Sequence, residues 1–400
     1  MACTRADSSH ADIQWQNGAE CSLCTIDFFQ MNTRRVFIFG SAATLACGRR
    51  RATAFPGYAF VANQGKQSIA VVDLTTFSVT RQIALEAAPS AIATDGQRRA
   101  VYALAPQNGM VYEIDAANLA VKRRLSLGSE VISMRMAPAG GSLWLLCRPH
   151  SLVQIELDRF QVKARLELPS APEDFDLDHE GTLAAVVFLE ARSVALVDLV
   201  KWAVENVAAA GDDPRAVRFR ADSRQIFIGN RSPRSLTVLD VKTGAKLVRL
   251  PLPIEPENFC VNADGGQVFI TGKGMDAVAI YHPYQTEISE TLLAGKAPGA
   301  MAISAAPEYL FAANPQSGDV TVLDVQTRTV LASVSVGQEP CYVTFTPDNQ
   351  YALVVNRRSG DLAVIRLSAL SNRKPRVRTV PLFTMIPVGS GPVCVAVLAV

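Results

Sequence analysis

Short apolar runs separated by turn residues dominate the chain from Tyr58 onward, and one stretch shows the pattern in full. Leu310-Phe311-Ala312-Ala313-Asn314 reads as a short strand, Pro315 to Gly318 carries turn chemistry, and Asp319 to Leu323 alternates polar and apolar positions. Asp324 to Arg328 then turns the chain, and Val330 to Val336 alternates again. Gly337 breaks that run, and Cys341 to Phe345 forms a fourth strand before Thr346-Pro347-Asp348-Asn349. The pattern predicts four short strands in about 42 residues.

The pattern recurs. One strand of each unit ends at Val71-Val72-Asp73, Glu113-Ile114-Asp115, Glu156-Leu157-Asp158, Leu196-Val197-Asp198, Val238-Leu239-Asp240, Ile280-Tyr281-His282, Val322-Leu323-Asp324 and Val364-Ile365-Arg366-Leu367. The successive steps are 42, 43, 40, 42, 42, 42 and 43 residues. Pro172, Pro214, Pro256, Pro298 and Pro340 follow one another at steps of 42. Pro89 precedes them, Val131 fills the missing place, and Pro392 is displaced by an insertion around Ser371 to Pro387. Both landmarks count eight units. A small four-stranded sheet cannot keep both faces dry until neighbours stack on it. The repeat therefore predicts an all-β, eight-bladed β-propeller, with seven blades as the alternative if one unit is irregular. The first unit opens at Tyr58 with the second strand of the pattern, whereas Gly391 to Val397 is a first strand lacking its remainder. Pairing the two completes a mixed blade and removes the exposed sheet edges.

Tyr58-Ala59-Phe60-Val61-Ala62-Asn63 through Val71-Val72-Asp73 resembles the YVTN (YncE-like) β-propeller repeat. So does Leu310 to Gly337 leading into Glu339-Pro340-Cys341-Tyr342-Val343-Thr344-Phe345-Thr346-Pro347-Asp348. That consensus runs roughly Y-V-x-N, V-x-V-I-D, I-x-V-G and P-x-x-V-x-x-x-P-D-G, and the resemblance covers Tyr58 to Val400. Ala105, Cys147 and Leu189 stand where Asn is expected. Better-known members of the family are often seven-bladed. The resemblance implies an exported or surface-associated binding protein more than one enzymatic activity. Related propellers include lactonases and parts of redox enzymes, so the fold alone decides little about chemistry.

Export is also legible ahead of the repeats. Thr33-Arg34-Arg35-Val36-Phe37-Ile38 resembles a twin-arginine motif and precedes a short apolar stretch, Phe39 to Ala46. Because export signals begin a chain, Met31 is the expected initiator. Residues 1–30 are then an upstream extension, 31–54 the signal and 55–400 a single propeller domain. Two processing sites compete. Ala52-Thr53-Ala54 has the small-x-small pattern of ordinary cleavage, and Leu45-Ala46-Cys47-Gly48 loosely resembles a lipoprotein box. Arg49-Arg50-Arg51 sits awkwardly in an ordinary cleavage region, which favours lipidation at Cys47. The protein is thus expected in the periplasm or cell envelope, touching the membrane only through such an anchor. No apolar run approaches the roughly 18–20 residues of a bilayer span.

Composition narrows the partners. Hydrophobic residues make up 49% and charged residues 19%, and 39 Lys and Arg against 37 Asp and Glu leave a net charge of +2. No global field favours nucleic acid. The Cys21-Ser22-Leu23-Cys24 pair lies upstream of the expected initiator, while Cys147, Cys260, Cys341 and Cys394 occur singly in apolar runs, as buried free thiols do.

Local motifs offer no chemistry. His10, His150, His179 and His282 lack metal-binding spacing, and the chain has no haem-attachment motif, nucleophile elbow or phosphate loop. The Asp residues that end six of the eight landmark runs are expected to accept backbone N–H groups two residues on and so fix turns. Asn63, Asn230, Asn314 and Asn356 precede Gly-, Pro- or Ser-containing loops and are expected to form turns as well.

What remains is the loop before each innermost strand, which every unit places on one end of the ring. These loops are rich in carboxylates. The candidate ligand-binding residues are Glu130, Glu173, Asp174, Asp213, Arg215, Glu257, Asn258 and Glu339. Such a rim suits a divalent cation or a basic ligand, whereas solvated surface loops are the plainer reading. No other cofactor is expected. Two functions follow: a monomeric envelope scaffold that binds a protein or small molecule, or a lactonase-like hydrolase using carboxylates or a metal at the channel mouth. A subunit docked beside a redox partner is a third.

Overall fold

In the computed structural model, which describes residues 54–370 and 380–400, the chain forms eight four-stranded antiparallel sheets. Each is one blade. Blades 2 to 8 are each continuous in sequence, and their innermost strands are Ala91–Asp95, Val131–Met136, Pro172–Leu177, Pro214–Phe219, Glu255–Val261, Met301–Ile303 and Pro340–Phe345. Blade 1 is mixed. Its inner strand, Pro392–Ala399, pairs antiparallel with Gly57–Asn63, in a register running from Gly57 opposite Ala399 to Asn63 opposite Pro392. Each innermost strand touches the next, and Pro392–Ala399 touches both Pro340–Phe345 and Ala91–Asp95, which closes the ring. The eight-bladed expectation and the closing tail are both met.

The sequence pattern explains the layering. Middle strands such as Ala100–Ala105 and Tyr351–Asn356 are buried along their whole length, because neighbouring blades cover both of their faces. Outermost strands such as Ala203–Ala209 alternate between exposed and half-buried positions, since one edge faces water. The core lies between blades. One cluster joins Ala59, Val61 and Val72 of blade 1 to Tyr351, Leu353 and Val364 of blade 8.

Two turn expectations fare differently. Asp73, Asp115, Asp198, Asp240 and Asp324 accept backbone N–H bonds from Thr75, Ala117, Val200, Thr243 and Gln326 at 2.7 to 2.9 Å, as turn residues do. Asp158 instead takes Arg98 of blade 2 at 2.7 Å. The asparagines are not turn formers. Asn63, Asn230, Asn314 and Asn356 are fully buried. Asn63 donates its Nδ2 to the Val388 carbonyl at 2.9 Å, on the crossover arriving from blade 8, while Asn314 and Asn356 each donate to an aspartate of their own blade at 2.6 Å. A crossover glycine presses on each amide. A Cβ added at Gly211, Gly295, Gly337 or Gly389 would come within 2.6 to 2.9 Å of the Asn side chain. At these four crossovers the Asn and Gly pack closely, and at blade 1 the Asn63 bond also ties the crossover to the blade it enters.

The insertion is narrower than the sequence indicates, because Leu382–Pro387 is itself the outer strand of blade 8. Residues 1–30, the twin-arginine segment, Cys47 and the Cys21–Cys24 pair lie outside the described residues. Cys147, Cys260, Cys341 and Cys394 are free thiols. No described helix is long and apolar enough to cross a membrane.

Candidate functional site

The channel mouth is shaped by one local irregularity. In blades 3, 4, 5, 6 and 8 the inner strand slips register one residue after its leading Val131, Pro172, Pro214, Pro256 or Pro340. A residue skipped in this way is released from the ladder and re-aimed. Glu173, Arg215 and Glu257 occupy that position, Asp174 and Asn258 follow it, and Asp213 and Glu339 precede the proline with left-handed backbone at φ 51° and 56°.

The expected acidic rim is a ring of mixed charge. Arg215 bonds both Glu173 and Asp213 at 2.7 Å, and Arg148 lies 4.0 Å from Glu173 and 3.9 Å from Glu130. These contacts join Glu130, Glu173, Asp213 and Arg215 in one chain. Glu257 belongs to a second, with Lys273 at 2.9 Å and Arg231 at 3.6 Å, and Glu339 stands apart with Arg357 at 3.7 Å. Arg148, Arg231 and Arg357 come from the loops after their blades' second strands, Lys273 ends such a strand and Arg215 lies on an innermost one. Backbone bonds set them there: the N–H groups of Arg148, Arg231 and Arg357 donate to the carbonyls of Glu130, Asp213 and Glu339 at 2.9 to 3.0 Å. The partial exposure of these pairs keeps each individual contribution near 0–1 kcal/mol. Among the described residues no group of three or more His, Cys, Asp or Glu is arranged to hold a metal ion.

Deeper in the channel, three blades bring together a quartet that local motifs did not flag beyond Asp174. Asp174 and Asp176 come from blade 4, Arg135 from blade 3 and Arg218 from blade 5. Arg218 bonds Asp174 at 2.8 Å, and the backbone N–H groups of Val217 and Phe219 donate to Asp174 and Asp176 at 3.2 and 3.0 Å. The aspartates therefore fasten the innermost strand of blade 5 to their own. Arg135 is held more loosely, 3.8 Å from Asp174 and 3.9 Å from Asp176, with its guanidinium over the Phe175 ring at 5.7 Å.

Burial sets the electrostatics. It pushes the Asp176 carboxyl up against the opposing pull of Arg218. It also pushes Arg135 down, helped by Arg218 and opposed by both aspartates. At Arg218 burial works the same way, but Asp174 and Asp176 outweigh it and hold the guanidinium above its ordinary value. Cys260 beside the quartet is pushed up to about 12 by burial, so it stays a thiol.

The wall is lopsided. Tyr342 of blade 8 is 37% exposed, and its phenol is raised by burial and by Cys394, with Arg135 opposing. At the equivalent positions blades 7 and 2 carry only methyl groups, Ala300 and Ala302, and Ala91 and Ala93, and blade 1 carries the buried Cys394 thiol and Ala396; the five alanines are all partly exposed. On the mouth face beside Glu339, a cleft of about 670 Å³ lies between Pro315–Gly318 and Gln338, Glu339 and Arg358.

Comparison with known proteins agrees on the propeller. The family described as Lactonase, 7-bladed beta-propeller, matches residues 282–388. The seven-bladed beta-propeller protein Rv1057 of Mycobacterium tuberculosis is 25% identical over 143 residues, which span 34% of this chain and 36% of that protein. Among solved structures, dihydro-heme d1 dehydrogenase NirN in complex with DHE superimposes with a TM-score of 0.71 at 15% identity, covering 85% of this chain and 74% of that one. A functionally unknown protein from Desulfotomaculum acetoxidans gives 0.56 at 13%, covering 85% and 98%, and Kuenenia stuttgartiensis hydrazine synthase gives 0.54 at 17%, covering 83% and 99%. At such identities the likeness concerns the fold. The chain has eight blades where the matched family and Rv1057 are described with seven.

Proposed function

We propose that this protein is an exported, non-catalytic propeller of the YVTN-repeat kind that binds a small molecule in its central channel, entered from the ion-paired mouth. The observation that carries the reading is the lopsided wall, in which Arg135, Asp174, Asp176 and Arg218 on one side face alanine positions on the other. Binding sites place a few polar groups precisely on a rigid frame, and a closed ring supplies that frame. Export rests on the Arg34-Arg35 leader, anchoring rests on Cys47, and a monomer rests on the self-closed ring.

The hydrolase reading draws support from the lactonase match, but that stretch covers only the last part of blade 6 and blades 7 and 8. It includes Glu339 and none of the channel carboxylates. Glu173 and Glu257 are each paired with a basic group, and Asp174 and Asp176 each turn one oxygen toward Arg135, so none of these four carboxylates is without a basic neighbour. The test is turnover of aliphatic and sugar lactones with and without Mg²⁺, Ca²⁺ or Mn²⁺, alongside thermal-shift screening of small molecules. Binding without turnover, weakened by Arg135→Gln, is the expected outcome. Lactone hydrolysis abolished by Glu173→Gln or Asp176→Asn overturns the proposal.

A further inference from the structure

The quartet leaves a specific set of hydrogen-bonding atoms unused. Asp174 spends its Oδ2 on Val217 N–H and Arg218, and Asp176 spends its Oδ2 on Phe219 N–H. Their Oδ1 atoms face the Arg135 guanidinium at 3.8 and 3.9 Å, too far for a hydrogen bond. Arg135 itself donates Nη1 to the Met134 carbonyl at 3.3 Å, which leaves donors of its five to spare. Polar atoms at this spacing leave room for a bridging group, a water or a ligand atom bonded to both. That group must accept from a guanidinium and donate to a carboxylate. An ammonium cannot accept and a carboxylate or a phosphate dianion cannot donate, but a hydroxyl, of water or of a ligand that displaces it, does both.

Charge points the same way. Two arginines and two aspartates cancel, so an ion carried into the channel would lose its water without gaining a counter-charge, the more costly exchange. A neutral hydroxylated molecule meets no such penalty. The Arg135 plane is set by Phe175 at 5.7 Å, and Tyr342 adds a partly exposed aromatic face.

Resting on the binding reading above, we propose that the channel ligand is an uncharged polyol of monosaccharide size, with adjacent hydroxyls bridging Arg135 to Asp174 and Asp176. The test is titration calorimetry of the full chain with glucose, galactose, mannose, ribose, glucitol and myo-inositol, against glucuronate and glucosamine as charged analogues of one ring size. At least one neutral polyol is expected to bind at least tenfold more tightly than either charged analogue. Arg135→Gln and Asp176→Asn are expected to weaken it at least tenfold. Since Asp176 also fastens two blades, Ala396→Leu serves as the second variant: it fills the open side without touching the quartet and should abolish binding with the melting temperature retained. Tighter binding of glucuronate or glucosamine, lost in Arg135→Gln, overturns the polyol assignment and leaves the channel-binding reading standing. Polyol binding unchanged by Arg135→Gln and Ala396→Leu overturns the assignment of this site. Polyols that fail to bind at all overturn the ligand class, and binding of other small molecules in the thermal-shift screen then decides whether the broader reading survives.

Discussion

Leu398 tests whether the tail strand holds the whole ring or only its own blade. Its side chain is 3% exposed and packs with Phe60, Ile69 and Val71 of blade 1 and Val101 of blade 2. Leu398→Ala removes buried methyl groups from a site whose walls belong to two blades, so the cavity can collapse little. Substitutions of this type cost about 2–5 kcal/mol, set against a total stability of about 5–15 kcal/mol for a typical domain. Val207, 51% exposed on the outer strand of blade 4, supplies the control: Val207→Ala should change stability by about 0.5 kcal/mol or less. Trp144 and Trp202, with rings 5.4 Å apart on blades 3 and 4, report from a distant part of the ring in a Trp15→Phe background. In urea, their fluorescence should shift to the same lower midpoint as the far-ultraviolet circular dichroism. A tryptophan transition left at the parental midpoint, or a Leu398→Ala effect no larger than that of Val207→Ala, would refute closure as the source of cooperativity.

Removing residues 393–400 leaves the edge of Gly57–Asn63 unpaired, and gel filtration should show aggregates that the full chain does not form; a normal melt would count against the closing role. Gly337→Ala should destabilise by about 1–3 kcal/mol, because the added Cβ would lie 2.3 Å from Ser359 Oγ and 2.7 Å from Asn356 Nδ2, while Gly96→Ala, with open space around it, should be close to neutral in the same urea titration. Acid should weaken the fold. The Asp115 carboxyl is held below its ordinary value by Ala117 N–H, Asp198 down to about 2 by Lys201, and Asp240 by the Thr243 hydroxyl. Stabilisation from lowered carboxyls is present above the unfolded value of about 4 and is lost as pH falls through the folded ones. Asp176 runs oppositely, its raised carboxyl favouring the fold below about 4. The urea midpoint should therefore fall between roughly pH 4 and 2, and the Asp115→Asn, Asp198→Asn, Asp240→Asn triple variant should flatten that slope.

The ring was legible in the sequence because a propeller writes its period directly into the spacing of Asp and Pro landmarks. The candidate site was legible only in part. Counting the loops before each inner strand found the acids Glu130, Glu173, Glu257 and Glu339 and one base, Arg215, but not the other bases. Arg148, Arg231 and Arg357 follow the second strand of their blades and Lys273 ends one, and only the folded hairpins and the neighbouring blades bring them alongside. Arg135, Asp176 and Arg218 escaped for a related reason: local motifs look along the chain, and these residues sit 41 and 42 apart. Reading the fourth residue after each leading position as a column gives Ala93, Arg135, Asp176, Arg218, Cys260, Ala302, Thr344 and Ala396, in which the charged trio stands out. The asparagines were misread because their amides donate across their own hairpin, from Asn230 to Thr237, Asn314 to Asp319 and Asn356 to Asp361, or to the crossover carbonyl of Val388 in the case of Asn63, and none caps the turn that follows it.

The tail strand also governs timing. Asn63 and the carbonyl it holds are 325 residues apart, and the strand opposite Gly57–Asn63 leaves the ribosome after every other strand of the ring. Seven blades can assemble from contiguous segments as they emerge, but the first must wait with one flank open. Such distant pairing is slow and leaves intermediates prone to association. The nascent chain's most vulnerable surface is therefore its oldest, and a chaperone acting on this protein would be needed longest at the strand made first.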